Sequence, residues 1–302
     1  MNIAKTEEQN QNTLEIDRAS VEQAIRLIND EDKTVAFAVE KAIPEITKVT
    51  ENVVENIRAG GRLFYIGTGT SGRLGVLDST EIPPTFGVSP EMIQGVIAGG
   101  YDALHKAVEA SEDDFEASRI DLLARGFTKD DCLIGIAASG NTPYTVGAVE
   151  FARGIGCFTG AITCNPESKL TAAAEVAIVV ETGAEALTGS TRMKAGTAQK
   201  LVLNLISTVT MIKLGYVKGN RMTNLKPSNT KLKDRSLRIL ANETGLPLER
   251  AAILLNRANG DLRLALVVAE TNAEMKIAEK ALQDAEFRIE DAIKSITLTS
   301  KI

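Results

Sequence analysis

LFYIGTGTSGRLGVLDSTEIPP, from Leu63 to Pro84, begins with an apolar run and passes through a glycine-rich loop into a second apolar-periodic segment. The loop holds three glycines and three hydroxyl residues, Thr68, Thr70 and Ser71. This order is typical of a strand, a loop and a helix. Glycine lets the backbone approach a ligand closely, and free N–H groups at a helix start attract anions. The stretch therefore predicts a phosphate-binding loop.

Glu81 lies at the far end of the same stretch, shortly before Pro83 and Pro84. Proline has no backbone N–H and restricts the residue before it, so we expect the helix to end here and Glu81 to lie in a loop. Desolvation beside Ile82 and the prolines favours the protonated form of a carboxyl group. Glu81 is therefore either a candidate acid or a helix-end carboxylate without a catalytic role.

The sequence that follows extends this pattern into an α/β domain. Between Leu63 and about Leu214, short β-rich runs alternate with longer helical segments. The predicted strands are LFYIG, MIQGVIAGG, CLIGIAA, FTGAITC and VAIVVE, and the predicted helices between them cover 103–124, 143–154 and 195–214. Crossovers of this length predict a doubly wound parallel sheet with helices on both faces, which binds ligands at the carboxyl ends of its strands.

Helical segments precede and follow this domain. The first sixty residues have helical apolar spacing, with a capping box at Ser20 and Gln23 and with Pro44 as a point of kinking or division. Beyond residue 220 the β signals end, and helices are predicted over 230–243, 248–258 and 262–298. The predicted domains are an N-terminal helical segment (1–52), the α/β domain (53–218) and a small C-terminal helical bundle (219–302).

Composition and charge narrow the class of protein. The chain has 302 residues, of which 44% are hydrophobic, and a formal net charge of −6. This charge and the lack of a long basic run argue against nucleic acid as a partner. The N-terminus has no apolar signal-peptide core, and no apolar run is long enough to span a bilayer. We therefore expect no membrane association and a cytoplasmic location.

The cysteines and the single histidine give no sign of a metal site. Cys132, Cys157 and Cys164 have no CxxC spacing and lie in or near strand-like runs, so we predict buried, reduced thiols. His105 is the only histidine of the sequence, which excludes a His-rich metal centre. We predict a structural or solvent-facing histidine at this position.

Two further loops place hydroxyl residues before a predicted helix. They are AASGNTPY, with Ser139, Asn141 and Thr142, and TGSTRMKAGTAQK, with Ser190, Thr191 and Lys194. Each loop alone fits an ordinary helix cap. Together with Thr70 and Ser71, they favour a site in which several of these side chains hold phosphate or sugar hydroxyls. Lys194 is a candidate partner for an anionic group or a solvated helix lysine, and Arg73 and Arg192 are further cationic candidates.

These loops resemble those of the sugar isomerase (SIS) phosphosugar-binding fold. Longer strings narrow the resemblance: INDEDKTV, GTGTSGRLGVLDSTEIPPTFG, AGGYDALHKAVEASEDD and STRMKAGTAQKLVLN are similar to the N-acetylmuramic acid 6-phosphate etherases, bacterial enzymes of peptidoglycan recycling. The resemblance covers most of the chain. It implies an SIS-type sheet, a C-terminal bundle similar to ubiquitin-associated (UBA-like) domains, and a homodimer with substrate sites near the subunit interface.

The resemblance also implies a reaction. The enzyme would be a lyase without a cofactor that takes N-acetylmuramic acid 6-phosphate, releases D-lactate and leaves N-acetylglucosamine 6-phosphate. The family's two functional glutamates correspond to Glu81, in DSTE, and Glu112, in EASEDD. Elimination needs a base at the C2 proton and an acid at the leaving oxygen. We assign Glu112 as the base and Glu81 as the acid.

Two other functions stay open from the sequence. An aldose–ketose isomerase also binds a phosphosugar and removes the C2 proton, but it leaves the C3 substituent in place. A phosphosugar sensor acting on a protein partner, like the related glucokinase regulatory protein, would bind without turnover. Glu112 has a structural alternative as well, because it fits one acidic, solvated helix face together with Glu109, Asp113, Asp114 and Glu116.

Overall fold

The computed structural model describes residues 5–106, 108, 112–224 and 230–299. Its centre is a parallel sheet. The strands are β1 (Leu63–Gly67), β2 (Ile93–Ile97), β3 (Cys132–Ile136), β4 (Phe158–Thr163) and β5 (Val176–Val179). They lie in the order β2-β1-β3-β4-β5, and every pair is parallel. The five strands predicted from the sequence and the α/β class are therefore confirmed.

The strand order creates a crevice at the end of β1. This strand pairs with β2 on one side and with β3 on the other, so that Gly67 lies opposite both Ile97 and Ile136. The chain leaves β1 toward one edge of the sheet and leaves β3 toward the other edge. In parallel sheets, ligands bind at such a switch point.

Helices flank the sheet. They are α1 (Val21–Asp32), α2 (Val35–Lys41), α3 (Ile43–Arg58), α4 (Gly69–Phe86), α5 (Ala117–Ala124), α6 (Pro143–Gly154), α7 (Lys169–Ala173) and α8 (Lys194–Lys213). All residues of β1 and β3 are buried, which requires cover on both faces. Phe64, Leu133, Tyr144 and Val149 belong to the core between sheet and helices.

The prediction that the helix ends at Glu81 is wrong. Helix α4 continues to Phe86 and contains Pro83 and Pro84 in its interior. Proline removes its own N–H bond to the preceding turn, but its fixed φ is helical, so a helix can pass through at the cost of that bond. The N–H of Gly87 still bonds to the carbonyl of Pro83 at 2.8 Å. Glu81 is therefore a helical residue and does not lie in a loop.

The predicted helix over 103–124 is also largely wrong. Within the described part of this stretch, a short 3-10 turn ends at Leu104, and α5 begins only at Ala117. The N–H of Ala117 bonds to the carboxylate of Asp114 at 3.0 Å. A side chain that takes the first free N–H groups favours the start of a helix at that point, which delays α5.

The N-terminal segment is helical only from Val21 onward. Three short 3-10 turns lie between Lys5 and Arg18. The predicted capping box is confirmed, since Ser20 and Gln23 bond to each other's backbone N–H groups. Pro44 lies in the first turn of α3 and so separates α2 from α3.

The C-terminal helical region is confirmed, with one correction. After a short hairpin of β6 (Val217–Lys218) and β7 (Arg221–Met222), the helices are α9 (Thr230–Thr244), α10 (Leu248–Arg257), α11 (Leu262–Thr271), α12 (Met275–Asp284) and α13 (Ile289–Thr299). The predicted stretch 262–298 is thus divided into three helices. Asn272, Glu286 and Phe287 have left-handed φ angles, which interrupt a right-handed helix. Asp261 caps α11, since its side chain accepts the backbone N–H groups of Arg263 and Leu264.

The chain divides into two compact units, each with its own interior. One consists of the chain up to Thr80 together with Pro90–Thr208, and the other of Glu81–Ser89 together with the chain from Val209 onward. The domain limits inferred from sequence, 1–52, 53–218 and 219–302, stay a prediction. Across the described helices, none combines the length and the apolar character that a bilayer crossing needs.

Candidate active site

A cavity of about 450 Å³ lies at the predicted edge of the sheet. Its walls include residues within two positions of the ends of β1, β2 and β3, namely Thr68, Ala98 and Ala138. Of the candidate residues from the sequence, it is lined by Thr70, Ser71, Glu112, Ser139, Thr142, Ser190 and Thr191. The structure therefore brings the three predicted loops together in one pocket. Glu81, Asn141 and Lys194 are not among the lining residues.

The glycines of the first loop let the backbone of α4 lie tightly against the strand ends. A Cβ atom on Gly67 would lie 2.7 Å from the carbonyl oxygen of Ile136, and one on Gly72 would lie 2.6 Å from the carbonyl oxygen of Gly67. Gly69 has a left-handed φ of 49°. The first N–H groups of α4 have no partner within the helix, and Gly69, Thr70 and Ser71 line the pocket.

Ser71 and Thr70 occupy the first turn of α4. The Ser71 side chain is buried, and its hydroxyl donates to Oε1 of Gln199 at 3.0 Å. Thr70 is half-buried. Gln199, which lies on α8, was not a candidate from the sequence, because no local pattern connects it to a loop 128 positions away.

In the second loop, Ser139 to Thr142, one polar side chain makes hydrogen bonds to the backbone and another lines the pocket. Asn141 organises the loop: its Oδ1 accepts the N–H of Lys169 at 3.2 Å, and its Nδ2 donates to the carbonyl of Ser139 at 3.2 Å. Thr142 occupies the N-cap of α6 but makes no capping bond through its side chain. Its hydroxyl is therefore available to a ligand, whereas Asn141 serves to fix the shape of the loop.

The third loop ends at a helix start that already carries an anionic side chain. The Glu185 carboxylate accepts the backbone N–H groups of Lys194 and Ala195, both at 2.9 Å. Burial raises the pKa of Glu185, although these hydrogen bonds act in the opposite direction. A ligand phosphate is therefore not expected at the start of α8. Ser190 and Thr191, which precede this helix, still line the pocket.

Lys194 does not have the position expected of an anion-binding residue. Its side chain is 4% exposed, and its Nζ lies 2.6 Å from Oε2 of Glu31. Glu31 also accepts a hydrogen bond from Asn12 at 2.8 Å. Burial would raise the pKa of Glu31, but the hydrogen bonds from Asn12 and Lys194 outweigh it and lower that pKa. The ammonium group is thus held in an internal ion pair with Glu31, and a role of Lys194 as a phosphate or lactyl ligand stays a prediction.

Glu112 lies beside the first loop. Its Oε1 is 3.3 Å from the position that a Cβ atom on Gly69 would take, and its side chain is half-buried. Its backbone carbonyl accepts the N–H of Tyr144, near the start of α6. Glu112 is in a bend and not on a helix, so the alternative of one acidic helix face is wrong for the described residues 112–116. Glu109 lies outside the described residues.

Glu81 is exposed and belongs to the second unit, on the last turns of α4. The sequence predicted apolar surroundings for Glu81, but its side chain is exposed on the single chain. Its catalytic role stays a prediction.

Three charged residues complete the pocket wall. Arg73 donates to the carbonyl oxygens of Leu104 and Lys106, at 3.3 and 3.0 Å, and so holds the loop after β2. Arg192 lines the pocket with an exposed side chain. Glu7, which no sequence pattern indicated, reaches the pocket from the N-terminal segment.

His105 and the cysteines behave as predicted from sequence. His105 is exposed and contacts Tyr101. The three cysteines are buried and free, and burial raises their pKa values. Among the described residues, no group of three or more His, Cys, Asp or Glu side chains is arranged to hold a metal ion.

The sheet order and the pocket at the strand ends fit the SIS-type fold. Residues 45–153 match the model of the glucokinase regulatory protein N-terminal SIS domain. A solved structure from Bacteroides fragilis, described as that of a phosphosugar isomerase involved in capsule formation, shares the fold with a TM-score of 0.50 and 21% identity, over 67% of this chain and 95% of that chain.

Relatives of higher identity specify the family. N-acetylmuramic acid 6-phosphate etherases from Clostridium botulinum and Clostridioides difficile are 48% and 46% identical, over 97% and 96% of both chains. The etherase from Symbiobacterium thermophilum is 51% identical over 88% of this chain and 89% of its own. The chain belongs to the N-acetylmuramic acid 6-phosphate etherase family.

Proposed function

We propose that the protein is a lyase that converts N-acetylmuramic acid 6-phosphate into N-acetylglucosamine 6-phosphate and D-lactate. Family membership supports this substrate. The observation that carries the proposal is the position of the Glu112 carboxylate beside Gly69, in a pocket lined by the hydroxyl groups of three loops. Such a pocket holds a phosphosugar next to a carboxylate that can act as a base.

The phosphate group of the substrate binds at the first turn of α4 in this proposal. The N–H groups of Gly69, Thr70 and Ser71 lack partners within the helix, and the positive end of the helix dipole favours an anion. The remaining phosphate and sugar oxygens are taken by the hydroxyls of Ser139, Thr142, Ser190 and Thr191. Arg192 is the pocket residue best suited to the lactyl carboxylate, because its exposed guanidinium can bind a carboxylate through two N–H groups.

The reaction needs one base and one acid. Opening of the sugar ring makes C1 an aldehyde and the C2 hydrogen acidic. Glu112 removes this proton, the C3–O bond breaks, and Glu81 gives a proton to the lactate oxygen. Water then adds at C3 of the unsaturated aldehyde. General acid and base catalysis each contribute about 10²- to 10⁴-fold.

We further propose that the enzyme acts as a homodimer. A proton donor acts on a substrate held away from bulk water, yet Glu81 is exposed on the single chain. Contact with a second copy would supply the missing burial. Exposed apolar residues on the N-terminal helices, among them Val21, Ile25 and Phe37, offer surface for such a contact.

A cytoplasmic location is also part of the proposal. The substrate is a charged sugar phosphate, and charged groups cross the apolar bilayer core only at high cost. The net charge of −6 does not favour nucleic acid as a partner.

Incubation with N-acetylmuramic acid 6-phosphate, followed by assays for D-lactate and for the sugar product, tests the proposal. We expect equal amounts of D-lactate and N-acetylglucosamine 6-phosphate. A ketose product without lactate would identify an isomerase. Saturable binding of the sugar phosphate without any turnover would identify a sensor.

A further inference from the structure

The side-chain amide of Gln199 is buried, and its oxygen and nitrogen differ in their hydrogen bonding. Its side chain is 1% exposed on α8. Its Oε1 accepts the hydroxyl proton of Ser71 at 3.0 Å. Its Nε2 is fully buried and has no hydrogen-bond partner in the part of the chain that the structure describes. A buried donor without an acceptor is destabilising, so this arrangement calls for an explanation.

The direction of the bond between Gln199 and Ser71 matters for ligand binding. A serine hydroxyl has a single proton to donate. While that proton is used on Gln199, Ser71 can only accept a hydrogen bond. A phosphate dianion also only accepts, so the two groups cannot bond to each other in this state, although Ser71 lines the pocket.

Rotation of the amide by 180° exchanges its oxygen and nitrogen with almost no change in shape. Nε2 of Gln199 would then donate to Oγ of Ser71, and the Ser71 proton would be free to turn into the pocket. Gln199 lies on α8. The start of this helix is fixed by the hydrogen bonds to Glu185 and by the ion pair of Lys194 with Glu31.

We propose that Gln199 is a positioning residue that sets the direction of the Ser71 hydrogen bond. When a phosphate group occupies the pocket, the amide of Gln199 donates to Ser71, and Ser71 donates to the phosphate. In the empty pocket the bond runs in the opposite direction. This inference rests on the proposed function for the phosphate group, but not on the elimination chemistry.

Binding of inorganic phosphate, measured by titration calorimetry, tests the role of the amide directly. Gln199→Glu keeps the shape and, as a carboxylate, can only accept, so in this ionised form it fixes Ser71 as a donor to residue 199. We expect phosphate affinity to fall at least about tenfold, as in Ser71→Ala. Gln199→Met removes both ends of the amide, so Ser71 keeps its proton but loses the donor that directs it, and affinity should fall by less than in Gln199→Glu. A loss in Gln199→Met as large as that in Ser71→Ala would overturn the proposal.

A double-mutant cycle separates hydrogen-bond direction from simple charge repulsion. In the Ser71→Ala background, Gln199→Glu should cause less than about a twofold further loss of phosphate affinity. An equal loss with and without the Ser71 hydroxyl would mean that the new charge acts alone and would overturn the proposal. Unchanged phosphate affinity in a Gln199→Glu variant with the same melting temperature as wild type would also overturn the proposal.

The substrate kinetics provide a second readout. Because the phosphate takes no part in bond making or breaking at C2 and C3, Gln199→Glu should raise KM more than it lowers kcat. Lactate release by the wild-type protein is measured separately. If phosphate binding shows the expected coupling between Ser71 and Gln199 but the wild-type protein releases no lactate, the proposed function is contradicted and the role of Gln199 is supported.

Discussion

A side chain on Gly69 would reach the carboxylate of Glu112. The added Cβ atom would lie 3.3 Å from Oε1, and Gly69 has a left-handed φ of 49°. Gly69→Ala is therefore expected to lower kcat/KM at least about tenfold, because it displaces the proposed base and costs about 1–2 kcal/mol in backbone strain. Gly126→Ala is the matched control, since Gly126 has a φ of 66° and open space around it. Equal losses of activity in both variants would show that strain alone is responsible.

The two proposed carboxylate roles predict different losses. Glu81→Gln removes the acid but leaves the base, so lactate release should fall about 100-fold or more while exchange of the C2 hydrogen with solvent continues. Exchange is measured by NMR in deuterated water. If Glu81→Gln loses exchange as well as lactate release, the roles of Glu81 and Glu112 are reversed.

Residue positions were predictable where one segment of sequence determines them. Thr70, Ser71 and Thr142 come within a few residues of the ends of strand-like runs, and parallel strands end at one edge, so their convergence could be expected. Lys194 could not be understood in this way, because its partner Glu31 lies 163 positions away. Glu7 and Gln199 were not predicted for the same reason. Tertiary contacts, and not local sequence patterns, bring Glu7 to the pocket and Gln199 to Ser71.

At the scale of elements, the strands were predictable because each is a continuous apolar run between turn residues. The helices were less so. Helix α4 passes through two prolines that mark an end in most sequences, and the stretch 103–124 has helical spacing without forming one helix. In both places, local propensity gave way to capping and tertiary packing.

The ion pair of Glu31 and Lys194 joins α1 to the start of α8. Both side chains are at most 10% exposed. Lys194→Met leaves the Glu31 charge buried and unpaired, so we expect a loss of about 3–5 kcal/mol in the free energy of unfolding. The double variant Glu31→Gln/Lys194→Met should recover most of this loss. Chemical denaturation measures both, and equal instability of the single and double variants would contradict the ion-pair account.

The same pair predicts a pH dependence. The folded-state pKa of Glu31 is below its usual value of 4.5, so ionised Glu31 stabilises the fold. This contribution is fully present above that usual value and is lost as the pH falls through the lower folded-state pKa. The Glu31→Gln variant should therefore lose less stability than wild type over this acidic range.

At the scale of the whole molecule, the exposure of Glu81 bears on the proposed homodimer. If each active site takes Glu81 from one subunit and Glu112 from the other, two inactive variants complement each other. In an equal mixture of refolded or co-expressed Glu81→Gln and Glu112→Gln chains, half of the dimers are mixed, and each has one intact site. Lactate release should then return to roughly a quarter of the wild-type rate. Absence of any recovery in a verified dimer would mean that both glutamates act within one chain.

In the proposed reaction Glu112, in the pocket beside Gly69, removes the C2 proton of N-acetylmuramic acid 6-phosphate. The most direct measurement is the rate of C2 deuterium incorporation and of D-lactate release in deuterated water, for wild type, Glu112→Gln and the exposed neighbour variant Asp113→Asn. Glu112→Gln should lose both signals by about 100-fold or more, while Asp113→Asn should stay close to wild type. Exchange at the wild-type rate in a folded Glu112→Gln variant would contradict this role of Glu112.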